Sequence, residues 1–334
     1  MVIFIFFLFM GCPKASYIVM DQDALKVLEG HDIHEKRLIA SITKVMTAYV
    51  IIKEVDDLNA VVKVGSEIST AHGSNIYLKT NEEITIKDLL YGMMLRSGND
   101  AATVLAYYLY NDINRFVDLM NIYAKKIGMK NTVFQNPTGL DDDGTINIST
   151  AYDMALLTSK AMKDETFRKI FSTKYYSTKT NINSYTWKNK NKALFMKEFV
   201  TGGKTGFTKK ARRTLITTAS KKNMNITIVT LNVNDDFNFH VNKYNNIFKS
   251  YKKILILNKT NIKPIKSSVI NFYVKDNYYM LTNNEKSLVQ KLNIVYEVYD
   301  EEIKRKHHLV GKVVIYNNKD ILYESPMYAK YMLS

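Results

Sequence analysis

Residues 42–53 are apolar on almost every side of a helical projection, with Lys44 as the main interruption. A helix without a polar face is a buried one, so the pattern predicts a central helix with Ser41 at its amino end. Before it, residues 17–20 and 24–28 read as two strands around a turn, punctuated by Glu29-Gly30-His31-Asp32. Helical spacing returns over 84–95, 100–109 and 113–127, the last amphipathic and closed by Gly128. Asn136-Pro137-Thr138-Gly139 is turn chemistry, and Thr150 caps a helix running to Met162. After Lys204 the period changes. Residues 215–219 and 226–233 read as strands, and 244–251 as a closing helix. Beyond about 262 only strands are predicted: 269–274, 278–281, 289–299, and a hairpin of 312–316 with 321–325.

Helices enclosed by strands that come first and last predict an α/β fold, an antiparallel sheet with helices, followed by a small all-β domain. The divisions expected are 1–15 as a signal peptide or anchor, 16–255 as the main domain and 256–334 as the β-domain.

Composition is that of a globular protein: 46% hydrophobic and 24% charged over 334 residues. The net charge of +15 calls for anionic partners. The lysines are dispersed and no nucleic-acid motif is present, so nucleic acid is set aside. A solvated basic surface is the plainer reading, and weak attraction to anionic lipid or wall polymer the second. Val2 to Met10 is an uncharged apolar run of signal-peptide length, too short for a spanning helix. Cys12 is the single cysteine, so no internal disulfide forms. Leu8 to Cys12 loosely resembles a lipoprotein cleavage box with Phe9 where Leu is usual; a cysteine discarded with the signal is the alternative. Both imply export. The chain shows no amphipathic helix at its end, so any membrane attachment is expected from the N-terminal segment. His31 with His34, and His307-His308, lack further ligands for zinc, and Asp141-Asp142-Asp143 lacks calcium-loop spacing. No metal and no cofactor is expected.

The chemistry lies in three short motifs: Ser41-Ile42-Thr43-Lys44, Ser97-Gly98-Asn99 and Lys204-Thr205-Gly206. Each is weak alone. In this order they form the SxxK, SxN and KTG set of penicillin-binding proteins and class A β-lactamases. Ser41 and Lys44 share a helix face at i, i+3. A serine needs a neighbour to remove its proton, and lysine can do so only when burial or a nearby cation, here Lys204, lowers its pKa. Gly98 is expected to permit the turn that aims Ser97 and Asn99 at one point. Lys204-Thr205-Gly206 is expected on an edge strand, where an extended peptide can add by main-chain hydrogen bonds.

The chain resembles the low-molecular-mass penicillin-binding proteins that are D-alanyl-D-alanine carboxypeptidases. The likeness extends over Ala40 to Ala48, Met94 to Ala102, Asn136 to Asp141, Ser149 to Ala155 and Lys204 to Thr208, and into the tail from Val310 to Pro326. It implies a β-lactamase/transpeptidase-like serine peptidase domain that removes the terminal D-alanine of peptidoglycan stem peptides and is acylated by β-lactams. It further implies Ser41 as nucleophile, Lys44 as base, and Ser97 and Asn99 as proton relay and support. Lys204 and Thr205 would bind the terminal carboxylate beside Gly206, and the backbone amides of Ser41 and Phe207 would form the oxyanion hole. Two positions depart from the family: Arg212 stands where glycine is common, and Asn238-Phe239-His240 occupies the region where an arginine is often found. A β-lactamase and a non-catalytic wall-binding protein are the competing readings. The first is weakened because no acidic segment between Ser97 and Lys204 matches the deacylating glutamate of class A enzymes.

Overall fold

The computed structural model describes residues 15–141, 144–258, 270–275, 277–282, 292–299, 308–317 and 320–331. The apolar run at Val2 to Met10, Cys12, Asp142-Asp143 and His307 lie outside the described residues. Two compact units form. One holds the chain up to Met20 with Val27–Ala219 and Thr227–Asn242; the other holds Asp21–Lys26, Ser220–Ile226 and Lys243–Ser334.

A five-stranded sheet runs in the order Lys26–His31, Ser16–Asp21, Met224–Leu231, Arg212–Lys221, Val200–Thr208. Strands from both ends of the main domain thus meet in one sheet, and Val200–Thr208 is left on its edge. That edge strand pairs antiparallel with Arg212–Lys221, placing Ile216 opposite Lys204, Leu215 opposite Thr205 and Thr214 opposite Gly206.

The helices are α1 (Lys44–Glu54), α2 (Ile86–Arg96), α3 (Asn99–Tyr110), α4 (Ile113–Ile127), α5 (Ala151–Ala161), α6 (Glu165–Ser172), α7 (Ala193–Met196) and α8 (Asp236–Ser250). The apolar surround of α1 buries Val45, Met46, Ala48, Val50 and Ile51 completely. Its neighbours start at capping side chains: Thr85 accepts from the Asp88 amide, Asp112 from Asn114 and Thr150 from Asp153. Gly128 closes α4 at φ 95, a left-handed position suited to glycine. The second predicted strand lies slightly later than its sequence pattern, at Lys26–His31, so Glu29-Gly30-His31 extends the hairpin instead of ending it.

In the second unit, a four-stranded sheet runs Ile270–Tyr273, Asp320–Tyr331, His308–Asn317, Leu292–Val298, and Lys252–Leu257 pairs with Tyr278–Thr282. Leu257, Phe272, Val313, Ile315 and Met327 belong to its apolar core. Among the described residues no helix is long and apolar enough to cross a membrane.

Candidate active site

Ser41 sits in a single tight turn, Ala40–Thr43, that runs directly into α1. Ala40 stands in the left-handed region at φ 48. Gly139 lies opposite, and a Cβ there would come 2.0 Å from the Ala40 carbonyl oxygen. The turn leaves Lys44 Nζ 3.3 Å from Ser41 Oγ. Lys44 is fully buried, and its Nζ also donates to Asn99 Oδ1 and to the Thr138 carbonyl, both at 2.6 Å. Burial pushes its pKa down to about 7; the charge of Lys190 acts in the same direction and Asp100 opposes it. Lys190 is thus a lowering cation that the sequence did not point to, beside Lys204, whose repulsion with Lys44 is mutual.

Ser97 ends α2 with φ 67 and ψ 33, and Gly98 precedes α3 with φ −60. The strained residue is thus the serine, not the glycine. Gly98 is needed for space, since a Cβ would meet Asp100 Oδ1 at 3.0 Å and Ile76 Cγ2 at 3.1 Å. The left-handed turn aims Ser97 Oγ at Lys204 Nζ, 2.9 Å away. Asn99 is committed inside the protein: Oδ1 accepts from Lys44, and Nδ2 donates to the His72 carbonyl at 2.5 Å.

Lys204 is buried, and its Nζ donates to Ser97 Oγ and the Thr205 carbonyl. Burial first, then the charges of Lys44 and Lys190, hold its pKa well below the usual lysine range. Two ammonium groups desolvated side by side resist being charged together. At Gly206 the edge strand presses against the nucleophile turn; a Cβ would lie 2.3 Å from Thr214 Oγ1 and 2.9 Å from the Ser41 amide nitrogen. Phe207 leaves its side chain 62% exposed.

These groups border a cavity of about 580 Å³ lined by Ser41, Ser97, Thr205, Gly206 and Phe207, while Lys44, Asn99 and Lys204 stand behind the serines. A nucleophile beside a buried amine of lowered pKa, facing a cavity along a sheet edge, suits acyl transfer to serine. Among the described residues no group of His, Cys, Asp or Glu is arranged to hold a metal.

Residues 13–235 match the peptidase S11 family, D-alanyl-D-alanine carboxypeptidase. The chain belongs to the D-alanyl-D-alanine carboxypeptidase family. It is 30% identical over 336 residues to the D-alanyl-D-alanine carboxypeptidase DacF of Bacillus subtilis, covering 94% of this chain and 84% of that one. It is 35% identical over 234 residues to DacC of Escherichia coli, over 66% of this chain and 57% of that one. Penicillin binding protein 5 from Haemophilus influenzae shares the fold, with a TM-score of 0.75 at 23% identity over 96% of this chain and 98% of that one. As a member of this carboxypeptidase family the chain is a hydrolase acting on peptidoglycan, with the helices and antiparallel sheet of the penicillin-binding fold.

Sequence reasoning missed several groups of this carboxypeptidase. Ser74, Lys190, Lys192, Arg213 and Asp236 also line the cavity. Lys190 Nζ donates to Ser74 Oγ at 3.1 Å. Arg213 Nη2 donates to Asp236 Oδ1 at 2.5 Å, partly offsetting the burial that raises that carboxyl. Arg212 stands at φ 62, which is why glycine suits the position, and its neighbour Arg213 brings a cation to the cavity. His240 does not line the cavity: it is buried, with Nδ1 2.7 Å from Thr217 Oγ1 and Nε2 3.0 Å from Thr230 Oγ1. The one available signal was the double arginine; Ser74 and Lys190 stand in no motif.

Proposed function

We propose that this hydrolase cleaves the terminal D-alanine from peptidoglycan stem peptides through an acyl-enzyme on Ser41. The observation that carries the reading is the contact between Lys44 Nζ and Ser41 Oγ, with the amine buried and its pKa lowered to about 7. Near neutral pH a large share of Lys44 is then uncharged. The proton it lacks is the one facing Ser41, because Asn99 and Thr138 accept the other two. Ser41 Oγ gives its proton to Lys44 and attacks the carbonyl carbon of the penultimate residue. The backbone amides of Ser41 and Phe207 are the proposed oxyanion donors. The C–N bond then breaks as the departing amine takes a proton from Ser97, and Ser97 is restored by the proton that Lys44 received from Ser41; Lys204 supports Ser97 through its own donated hydrogen bond. Water hydrolyses the ester and frees Ser41.

The substrate's free carboxylate is assigned to the Thr205 hydroxyl and Arg213 guanidinium, which line the cavity, with the Lys204 charge behind them. A β-lactam offers the same carbonyl and carboxylate and acylates Ser41. Among the described residues the carboxylates lining the cavity are Asp235 and Asp236, and no glutamate is there to activate a deacylating water. That disfavours a β-lactamase, and the satisfied catalytic contacts disfavour a non-catalytic wall-binding protein. Because peptidoglycan lies outside the cytoplasmic membrane, the enzyme acts as an exported one. The apolar run at Val2 to Met10 supports 1–15 as signal or anchor and a membrane tether there, with 16–255 as the peptidase domain and 256–334 as the β-domain.

Benzylpenicillin should add one adduct to the Ser41 peptide by intact-mass and peptide mass spectrometry, and a stem pentapeptide should release D-alanine. An adduct that persists in Ser41→Ala, or folded protein whose mass does not change, would overturn the assignment.

A further inference from the structure

A second cavity, of about 600 Å³, adjoins the catalytic one along the chain. Asn75 lines it while Ser74 lines the first, and Arg96 lines it while Ser97 lines the first. Its wall includes Tyr77, Lys79, Tyr185 and Lys188. Tyr77 is the unusual residue. It holds φ 66, a left-handed conformation that disfavours a bulky side chain, and its ring is 74% exposed.

The buried Asp100 carboxylate keeps it there. Asp100 accepts from the amides on both sides of Tyr77: Ile76 at 3.0 and 3.1 Å and Leu78 at 3.1 Å. The same strip is stitched to the catalytic residue next door. The Asn99 amide donates to the Ser74 carbonyl at 2.7 Å, Asn99 Nδ2 donates to the His72 carbonyl, and the Asp100 amide donates to Asn75 Oδ1. A buried carboxylate is thus spent on holding an aromatic ring outward, beside two cations. Lys79 Nζ has no protein partner among the described residues, and Arg96 uses Nη1 on the Lys188 carbonyl while the rest of its guanidinium fork is uncommitted.

We propose that this cavity is a second subsite, taking the amino-terminal, carboxylate-bearing part of the stem peptide whose other end enters the catalytic cavity. The assignment rests on the stem-peptide reading above. Tyr77 supplies a rigid flat contact of low ordering entropy, and Lys79 and Arg96 complement a carboxylate. The positive lining matches an acidic peptide and not a cationic one.

The test compares a pentapeptide stem bearing a free carboxylate on its second residue, the same peptide with that carboxylate amidated, and an N-acetylated tripeptide ending in the same two residues. Tyr77→Ala should raise KM for the pentapeptide roughly five- to tenfold, leaving the tripeptide and penicillin acylation unchanged. Tyr77→Phe should restore it. Lys79→Gln with Arg96→Gln should lower kcat/KM about tenfold for the free-carboxylate peptide and little for the amidated one. Losses equal for pentapeptide and tripeptide, or no loss, would overturn the subsite. Equilibrium binding of the same peptides to Ser41→Ala protein reads the cavity without turnover. A wild-type protein that neither releases D-alanine nor forms a penicillin adduct defeats the functional reading, whereas the binding ratios still decide the subsite.

Discussion

Lys204 Nζ donates to Ser97 Oγ across 2.9 Å, behind the cavity and not within it. The third motif therefore serves the second. Its lysine orients the hydroxyl that the proposed mechanism uses as proton relay, while Thr205 and Gly206 form part of the cavity wall. The Lys44–Ser41 pair is the parallel arrangement on the nucleophile side, so two buried amines each hold one serine.

The two lysines separate by substitution. Lys44→Ala should slow acylation by both benzylpenicillin and peptide about 10²–10⁴-fold, the usual worth of a general base. Lys204→Ala should leave the Ser41–Lys44 pair in place and impair carboxylate-bearing substrates most. Stopped-flow acylation rates compare them, and normal acylation in Lys44→Ala would require another base.

Acylation should rise with pH through an apparent pKa of about 7, because Lys44 is active when uncharged and its pKa is lowered to about that value. Lys190→Gln removes the cation that adds to the lowering, so its profile should move to higher pH, with Lys190→Arg close to wild type. A profile that moves down, or not at all, removes Lys190 from this role.

Gly206→Ala should fold with a penalty of roughly 1–3 kcal/mol and acylate poorly. The added methyl meets Thr214 Oγ1 at 2.3 Å and the Ser41 amide at 2.9 Å, both fixed by sheet and turn. Thermal melts and adduct formation measured together separate lost activity from lost fold.

His240 links the acid side of the stability curve to the sheet. Burial pushes its pKa from 6.5 down to about 3, so the unfolded chain takes up a proton there before the folded one does. Its contribution is complete above about pH 6.5 and is lost as pH falls toward 3. Denaturant unfolding of His240→Gln should show a flatter decline over that window. An unchanged slope would mean that other groups govern it.

Much of this architecture is local. The apolar surround of α1, the caps at Thr85, Asp112 and Thr150, and Gly128 act over a few residues, so helix positions follow from the chain itself. The order of the three motifs likewise carried the chemistry and the family. The second strand was misplaced because a two-strand hairpin takes its register from its neighbours in the sheet, not from its own alternation.

Contacts between distant segments could not be read in this way. Whether Lys204 faces substrate or Ser97, which groups Asn99 touches, and which cations act on Lys44 depend on sheet register and helix packing between segments far apart in the chain. The left-handed Ser97 and Tyr77 are fixed by partners elsewhere, Tyr77 by Asp100 on α3. A sequence names the groups that can react, because residue chemistry is intrinsic. Which of them touch, which are desolvated and which face the cavity are decided by the tertiary structure, since burial and distance arise only when remote segments pack.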